Sequence, residues 1–294
     1  LADLAQLAVS GLLLGGVYAL ISVGLTLVFG VIRLVNFAHG EFLMLAMYLT
    51  YFLFNGLGID PLVAILLVTP ALFVFGLVIE TVIIRRTLDA PHVVQVFATL
   101  GLSITMQNLA LFFWSANFRS VTTWYSTATL LLGPIRVSVP RLVAFAVALL
   151  IAGIIHVFLR VTYVGKAIRA TAQHRHAAML MGINVQRIYL LTFAIGSACV
   201  GVAGALLLPI FPVYPGIGVD LILVAFVIVV LGGLGSVPGA MLGGLIIGVI
   251  ETLSGFVVET NLKQAVYFIL FIGILILRPA GLFGQRGAEE LGTK

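Results

Sequence analysis

Apolar runs of span length, separated by short polar stretches, recur along the whole chain and leave few architectures open. A bilayer crossing needs about 20 apolar residues in helical form. Reading between charges and turn residues gives runs near 5–29, 37–54, 61–84, 93–114, 141–159, 188–208, 221–231, 239–251 and 263–277. These runs are continuous and far longer than the roughly 10-residue strands of an outer-membrane barrel, so helices are the spanning element. With 62% hydrophobic and 9% charged residues and a mean hydropathy of +1.26, there is too little polar surface for a water-facing globule. A soluble enzyme and a disordered regulator are both excluded. The predicted fold is an all-α, polytopic transmembrane helical bundle of about eight or nine spans, one domain over residues 1–294, with broken or re-entrant segments.

The seventh and eighth runs fall short of a hydrocarbon thickness and are joined through Gly232, Gly233, Gly235 and Pro238, so they read as two spans or as one interrupted pair. With the N-terminus outside, Arg33, Arg85, Arg86, Arg160, Lys166, Arg169, Arg175, Arg187, Arg278, Arg286 and Lys294 face the cytoplasm. Only Arg119, Arg136, Arg141 and Lys263 are then outside, and eleven against four satisfies the positive-inside rule. Two sizeable connections, 115–140 and 209–220, fall outside, and one, 160–187, inside; connections of that size are often functional. The net charge of +5 therefore reports topology rather than nucleic-acid binding. The single Cys199 sits in an apolar run, where packing is its plainest role. No basic n-region with a short apolar core and a small-residue cleavage site precedes the first run, so no cleavable signal peptide is expected, although a start at Leu1 points to missing or processed residues.

Polar residues inside the apolar runs carry most of the functional information. Asn36, His39 and Glu41 cluster in Gly30-Val-Ile-Arg-Leu-Val-Asn-Phe-Ala-His-Gly-Glu41. An acidic residue at a span centre costs about 2.5 to 3.5 kcal/mol, so Glu41 should face the bundle interior, a cavity or a partner. The cluster either lines or gates the cytoplasmic half of a path, or forms a near-interface turn in which Glu41 pairs with Arg33 or caps the next helix. In Leu231-Gly-Gly-Leu-Gly-Ser-Val-Pro-Gly-Ala-Met-Leu-Gly-Gly-Leu-Ile-Ile-Gly248, glycines recur every four residues, a spacing that permits close helix contact. This interruption and the one at 30–40 fall in comparable places in the two halves, and paired broken helices point to a transport path, with Gly235 at its edge.

Tyr18, Ser22 and Thr26 form one polar stripe at helical spacing, and Gln95, Thr99, Ser103 and Gln107 form another. Tyr18, Ser22, Thr99 and Ser103 are candidate path residues; the alternative is interhelical glue. Neither stripe contains a charge, which argues against a proton pump or an ion-coupled carrier. Asp220 and Glu259 read as end-of-helix residues, Glu80 lies within reach of Arg85 and Arg86, and no partner for Glu251 is visible. The stretch 160–187 holds five basic residues and no acidic one. On a helical wheel Lys166, Arg169, Gln173 and His176 share one face, and Ala167, Ala170, Ala178 and Met181 another. Such a segment reads as a membrane-surface helix or a docking helix, or else as an ordinary positive-inside loop. No phosphate-binding loop occurs, since Gly165-Lys166 is followed by Ala167, and the five histidines show no metal spacing. Neither a catalytic residue nor a cofactor is expected.

Three motifs carry a family resemblance: Val-Asn-Phe-Ala-His-Gly-Glu at 35–41, Ala-Ala-Met-Leu-Met-Gly-Ile-Asn at 177–184, and Leu-Gly-Gly-Leu-Gly-Ser-Val-Pro-Gly-Ala at 231–240. In order and spacing they resemble the permease subunits of bacterial branched-chain amino acid ABC importers, as does the closing Leu-Arg-Pro-Ala-Gly-Leu-Phe-Gly at 277–284. The stretch 160–187 resembles the coupling loop of ABC permeases, whose Ala-Ala-x-x-x-Gly pattern falls on Ala177, Ala178 and Gly182. His176 stands where many such loops carry Glu, which puts the usual charge complementarity to an ATPase in doubt.

The resemblance implies a multi-pass protein of the bacterial inner membrane that pairs with a second permease chain, as hetero- or homodimer. It also implies two cytoplasmic ATPase subunits and an extracytoplasmic substrate-binding protein. Sugar permeases carry a different sequence where this chain has 33–41, whereas permeases for urea and short amides share the Asn-His-Gly-Glu type motif and remain an alternative. A stand-alone carrier or channel would need a coupling-ion site or a selectivity ring, and neither is visible.

Overall fold

The computed structural model describes residues 2–133, 135–257, 263–278 and 281–283. Its helices are α1 (Ala2–Ile32), α2 (His39–Leu57), α3 (Pro61–Ile79) continued by a π-helical turn (Glu80–Ile84) into α4 (Arg85–Thr87), α5 (His92–Trp114), α6 (Val139–Val161), α7 (Tyr163–Gln173), α8 (Arg175–Leu180), α9 (Val185–Leu207), α10 (Ile217–Gly232), α11 (Val237–Val257) and α12 (Lys263–Leu277). Among the described residues seven stretches are long and apolar enough to cross a membrane, and α10 and α12 are shorter apolar helices. The expectation of an all-α polytopic bundle is met. A short antiparallel hairpin, β1 (Thr129–Leu132) with β2 (Ile135–Ser138), adds the only sheet among the described residues.

Helix boundaries follow local chemistry. Asp60 caps α3 by accepting the Leu62 amide at 2.9 Å, with Pro61 opening the helix where no donor is needed. Thr162 and Asn184 cap α7 and α9 through the amides of Gly165 and Arg187, each at 3.0 Å. Glu80 is buried, and Arg85 pairs with it at 3.3 Å, as its position in the sequence predicts.

Helix α1 is the axis of the molecule, packed on α11, α9, α6 and α10. Its most extensive contact, with α11, rests on small residues at four-residue spacing. A β-carbon at Gly15 would fall 2.6 Å from the Gly244 carbonyl, and one at Gly11 2.5 Å from that of Gly248. Lipid tails are as apolar as Leu, so helices associate in a bilayer through close van der Waals fit, which bare backbone permits. The glycine repeat of the sequence is thus a packing surface here, with Ala19 continuing the stripe against Gly244.

One end of the bundle, the hairpin end, carries the connections after α2, α5 and α9. Gln6 on α1 donates to the Arg136 carbonyl and accepts from its amide, both at 2.6 Å, and so fastens the hairpin to the central helix. The Tyr125 hydroxyl donates to Asp60 at 3.0 Å, and the Arg119 and Val213 backbones pair with each other. The opposite, basic end gathers Arg33 and Arg175 around Tyr189 together with α7 and α8, with Arg175 over the Tyr189 ring.

Candidate translocation and coupling sites

The polar stripe of α5 sets the height of everything around it. Gln95 donates to the carbonyls of Leu88 and Ala90, Thr99 donates to that of Val35 at 3.1 Å, and Ser103 donates to Glu41 Oε1 at 3.2 Å. Gln107 lies beside Gly216. Ser103 is the twelfth of the 23 residues of α5, so Glu41 lies about 16 Å from either end of that helix. Glu41 is thus at mid-height, at the inner limit of the half of the bundle that the sequence reading gives to Asn36, His39 and Glu41. The reason is the backbone of 33–38, which reverses at Arg33 (φ 58) and climbs back into the bundle before α2 starts at His39.

A second helix start meets the first at the same height. A β-carbon at Gly218, the second residue of α10, would fall 2.7 Å from both Glu41 Oε2 and the Gly40 carbonyl. The Glu41 side chain, 1% exposed, is therefore enclosed by the first turns of two helices. The positive ends of those helix dipoles, each worth about 0.3 to 1 kcal/mol and more when buried, explain how a carboxylate is tolerated there. Nearby, His39 donates from Nε2 to the Ile21 carbonyl at 3.2 Å and lies over Gly24, while Asn36 Oδ1 accepts the Ala38 amide at 3.1 Å. Asn36 Nδ2 and Glu41 Oε2 have no hydrogen-bond partner among the described residues.

The two glycine interruptions also touch, because a β-carbon at Gly30 would fall 2.8 Å from the Cα of Gly235, itself at φ 83. The 30–40 segment thus runs alongside α10, meeting Gly235 at one end and Gly218 at the other, with Phe37 against Phe226 between them. Tyr18, Ser22 and Thr26 are buried in the packed interior. The Tyr18 hydroxyl bonds to Glu251, whereas the Ser22 and Thr26 hydroxyls find no partner among the described residues.

Asp220, which the sequence reads as an end-of-helix residue, does lie in the first turn of α10, but that turn starts inside the bundle, two residues from Gly218. Asp220 is exposed and accepts a hydrogen bond from the Tyr214 hydroxyl. Glu259, read in the same way, lies outside the described residues.

At the basic end the single docking helix expected from the sequence is corrected to two. Helix α7 ends at Gln173, and His174, in an extended conformation (φ −148, ψ 98), both closes it and opens α8. The wheel holds for Lys166, Arg169 and Gln173, all exposed, with Ala167 buried opposite. It does not hold for His176, which belongs to α8. Ala177 is exposed and Ala178 buried, and a shallow groove of about 200 Å³ runs between Ala170, Gln173, His174, Ala177, Met181 and Ile183. Gly182 has φ 80 and hands the amide of Ile183 to the Ala178 carbonyl at 3.1 Å. This left-handed stop leaves Leu180 89% and Met181 83% exposed. Among the described residues no group of His, Cys, Asp and Glu could hold a metal.

Comparison with known proteins matches residues 7–275 to the family described as branched-chain amino acid transport system / permease component. The chain is 34% identical to the high-affinity branched-chain amino acid transport system permease protein LivH of Salmonella typhimurium, over 96% of both chains. It is 33% identical to BraD of Pseudomonas aeruginosa, a permease protein of the same description, over 97% of both. A probable branched-chain amino acid transport permease protein LivH of Methanocaldococcus jannaschii is 27% identical over 90% of this chain and 88% of its own. No solved structure matches. On this match, which takes in both broken-helix segments and the coupling-like pair α7–α8, the chain belongs to the family of permease components of branched-chain amino acid transport systems.

Proposed function

We propose that this chain is one permease of an ABC importer that moves branched-chain amino acids into the cell by alternating access. It pairs with a second permease chain, two ATPases dock at the basic end, and a substrate-binding protein delivers cargo to the hairpin end. The observation that carries the reading is the family match over 7–275 together with full-length similarity to permeases of that description. The eleven-to-four basic asymmetry supports a cytoplasmic basic end and an N-terminus outside. ATP binding on the partner chains biases two arrangements of the bundle through its differential affinity for them.

Within this reading Asn36, His39, Glu41, Thr99, Ser103 and Gly235 form the gate, because polar groups and bare backbone concentrate where two helices begin. Tyr18 and Ser22 support that gate from α1. Lys166, Arg169, Gln173, His176, Ala177, Ala178 and Gly182 form the surface that receives the ATPase, with exposed Leu180 and Met181 supplying apolar anchors. The absence of a phosphate loop in this chain fits ATPases in trans.

The test is uptake into proteoliposomes by the complex assembled from this permease, its second permease, the ATPases and the binding protein. ATP-dependent leucine accumulation is expected. Accumulation of urea or a short amide in its place would assign the related substrate class, and leucine transport by this chain alone would make it a carrier.

A further inference from the structure

An exposed carboxylate inside an apolar bundle calls for an explanation that lipid cannot supply. Asp220 lies two residues, about 3 Å of helix rise, from Gly218, and Gly218 stands at the height of Ser103, midway along α5. Among the described residues, and away from the helix ends, charged groups are absent from the exposed faces of other membrane helices: α6 presents Leu150, Ile154 and Val157, α3 Val63, Leu66 and Val74, and α5 the neutral Thr105 and Asn108 beside Ile104 and Leu109. A charge turned to hydrocarbon at this height is strongly unfavourable, so intramembrane acids face water-filled cavities or partners. Among the described residues no cation lies within ion-pair distance of Asp220. Its hydrogen bond comes from the neutral Tyr214 hydroxyl, which orients the carboxylate and leaves other lone pairs open. Val219 (39% exposed) and Leu223 (36% exposed) flank it, the latter one turn along the same face.

We propose that Asp220 receives the α-ammonium group of the amino acid in transit, with Val219 and Leu223 beside the aliphatic side chain and Tyr214 holding the carboxylate in place. This rests on the functional reading above and names a contact within it. An ammonium next to a branched aliphatic chain is the chemistry that a carboxylate between Val and Leu complements. An exposed rather than enclosed carboxylate also suits a site that must release its cargo.

The complete reconstituted complex tests this with two readouts. Asp220→Asn is expected to lower leucine uptake at least tenfold with assembly and basal ATP hydrolysis retained, and Asp220→Glu to recover part of it. Asp220→Cys on a Cys199→Ala background is expected to react with water-soluble methanethiosulfonates, faster with a cationic than with an anionic reagent, and more slowly during leucine turnover. Wild-type uptake by Asp220→Asn overturns the proposal. So does an unreactive Asp220→Cys combined with a complex that falls apart, because Asp220 then pairs with the second permease. A wild-type requirement for a particular monovalent cation that Asp220→Asn abolishes also overturns it, in favour of a coupling ion. Wild-type complex that carries only an uncharged substrate defeats the functional reading, and this contact with it; leucine transport indifferent to Asp220 defeats this contact alone.

Discussion

Glu41 shows how a single side chain acquires its role from its surroundings. Ser103 supplies one hydrogen bond, and the first turns of two helices enclose the rest of the carboxyl group. Glu41→Gln keeps an acceptor for Ser103 but puts an amide donor in place of the carboxyl oxygen that faces those helix starts. It is expected to slow uptake several-fold while the complex still assembles, as read by transport rate and size-exclusion chromatography; unchanged uptake would make the cluster a structural turn. Tyr125 offers a cleaner stability test at the hairpin end. Burial first, and then the charge and hydrogen bond of Asp60, hold its phenol above its ordinary range. A raised phenol contributes stability in full below its unfolded value, near pH 10, and loses it only as pH climbs through the higher folded value. Tyr125→Phe should therefore cost about 1 kcal/mol at neutral pH, and the wild-type margin over that variant should persist to about pH 10 in thermal unfolding.

At the scale of elements, packing in this bundle depends on what is missing from side chains as much as on what is present. Gly248→Leu would drive a side chain into the α1 backbone at Gly15, and overpacking of that kind costs about 1 to 3 kcal/mol. It should lower the thermal midpoint in detergent, whereas the same change at Gly153, which has open space around it, should not. Gly182 is a different case. Nothing lies within 4 Å of it, but its φ of 80 strains any side chain. Gly182→Ala and Gly182→Trp are thus both expected to disturb the turn that presents Leu180 and Met181, weakening ATPase docking or uncoupling hydrolysis from uptake. Arg169→Ala should leave both largely intact, because one exposed ion pair is worth on the order of 0.2 to 1 kcal/mol. Wild-type ATPase and transport rates in Gly182→Trp would reduce α7–α8 to a positive-inside loop.

For the whole molecule, the proposed orientation is checked by single-cysteine labelling in intact cells on a Cys199→Ala background. An impermeant reagent added outside should modify Thr127→Cys and spare Gln173→Cys, both at exposed positions; the reverse pattern would invert the topology and remove the ATPase from the basic end. By itself the sequence determined the class of fold, the nearly exact reach of spans such as 92–114 and 263–277, the pairing of Glu80 with Arg85, and the family, because apolar run length and local motifs are written along the chain. It could not determine height. Where Asn36, His39 and Glu41 lie depends on a backbone reversal at Arg33, and where Asp220 lies depends on a helix that starts inside the bundle. Nor could a helical wheel detect the break at His174, whose residues carry no Gly or Pro to mark it. Only the tertiary structure decided these points, because each depends on what packs across from the residue rather than on its neighbours in sequence.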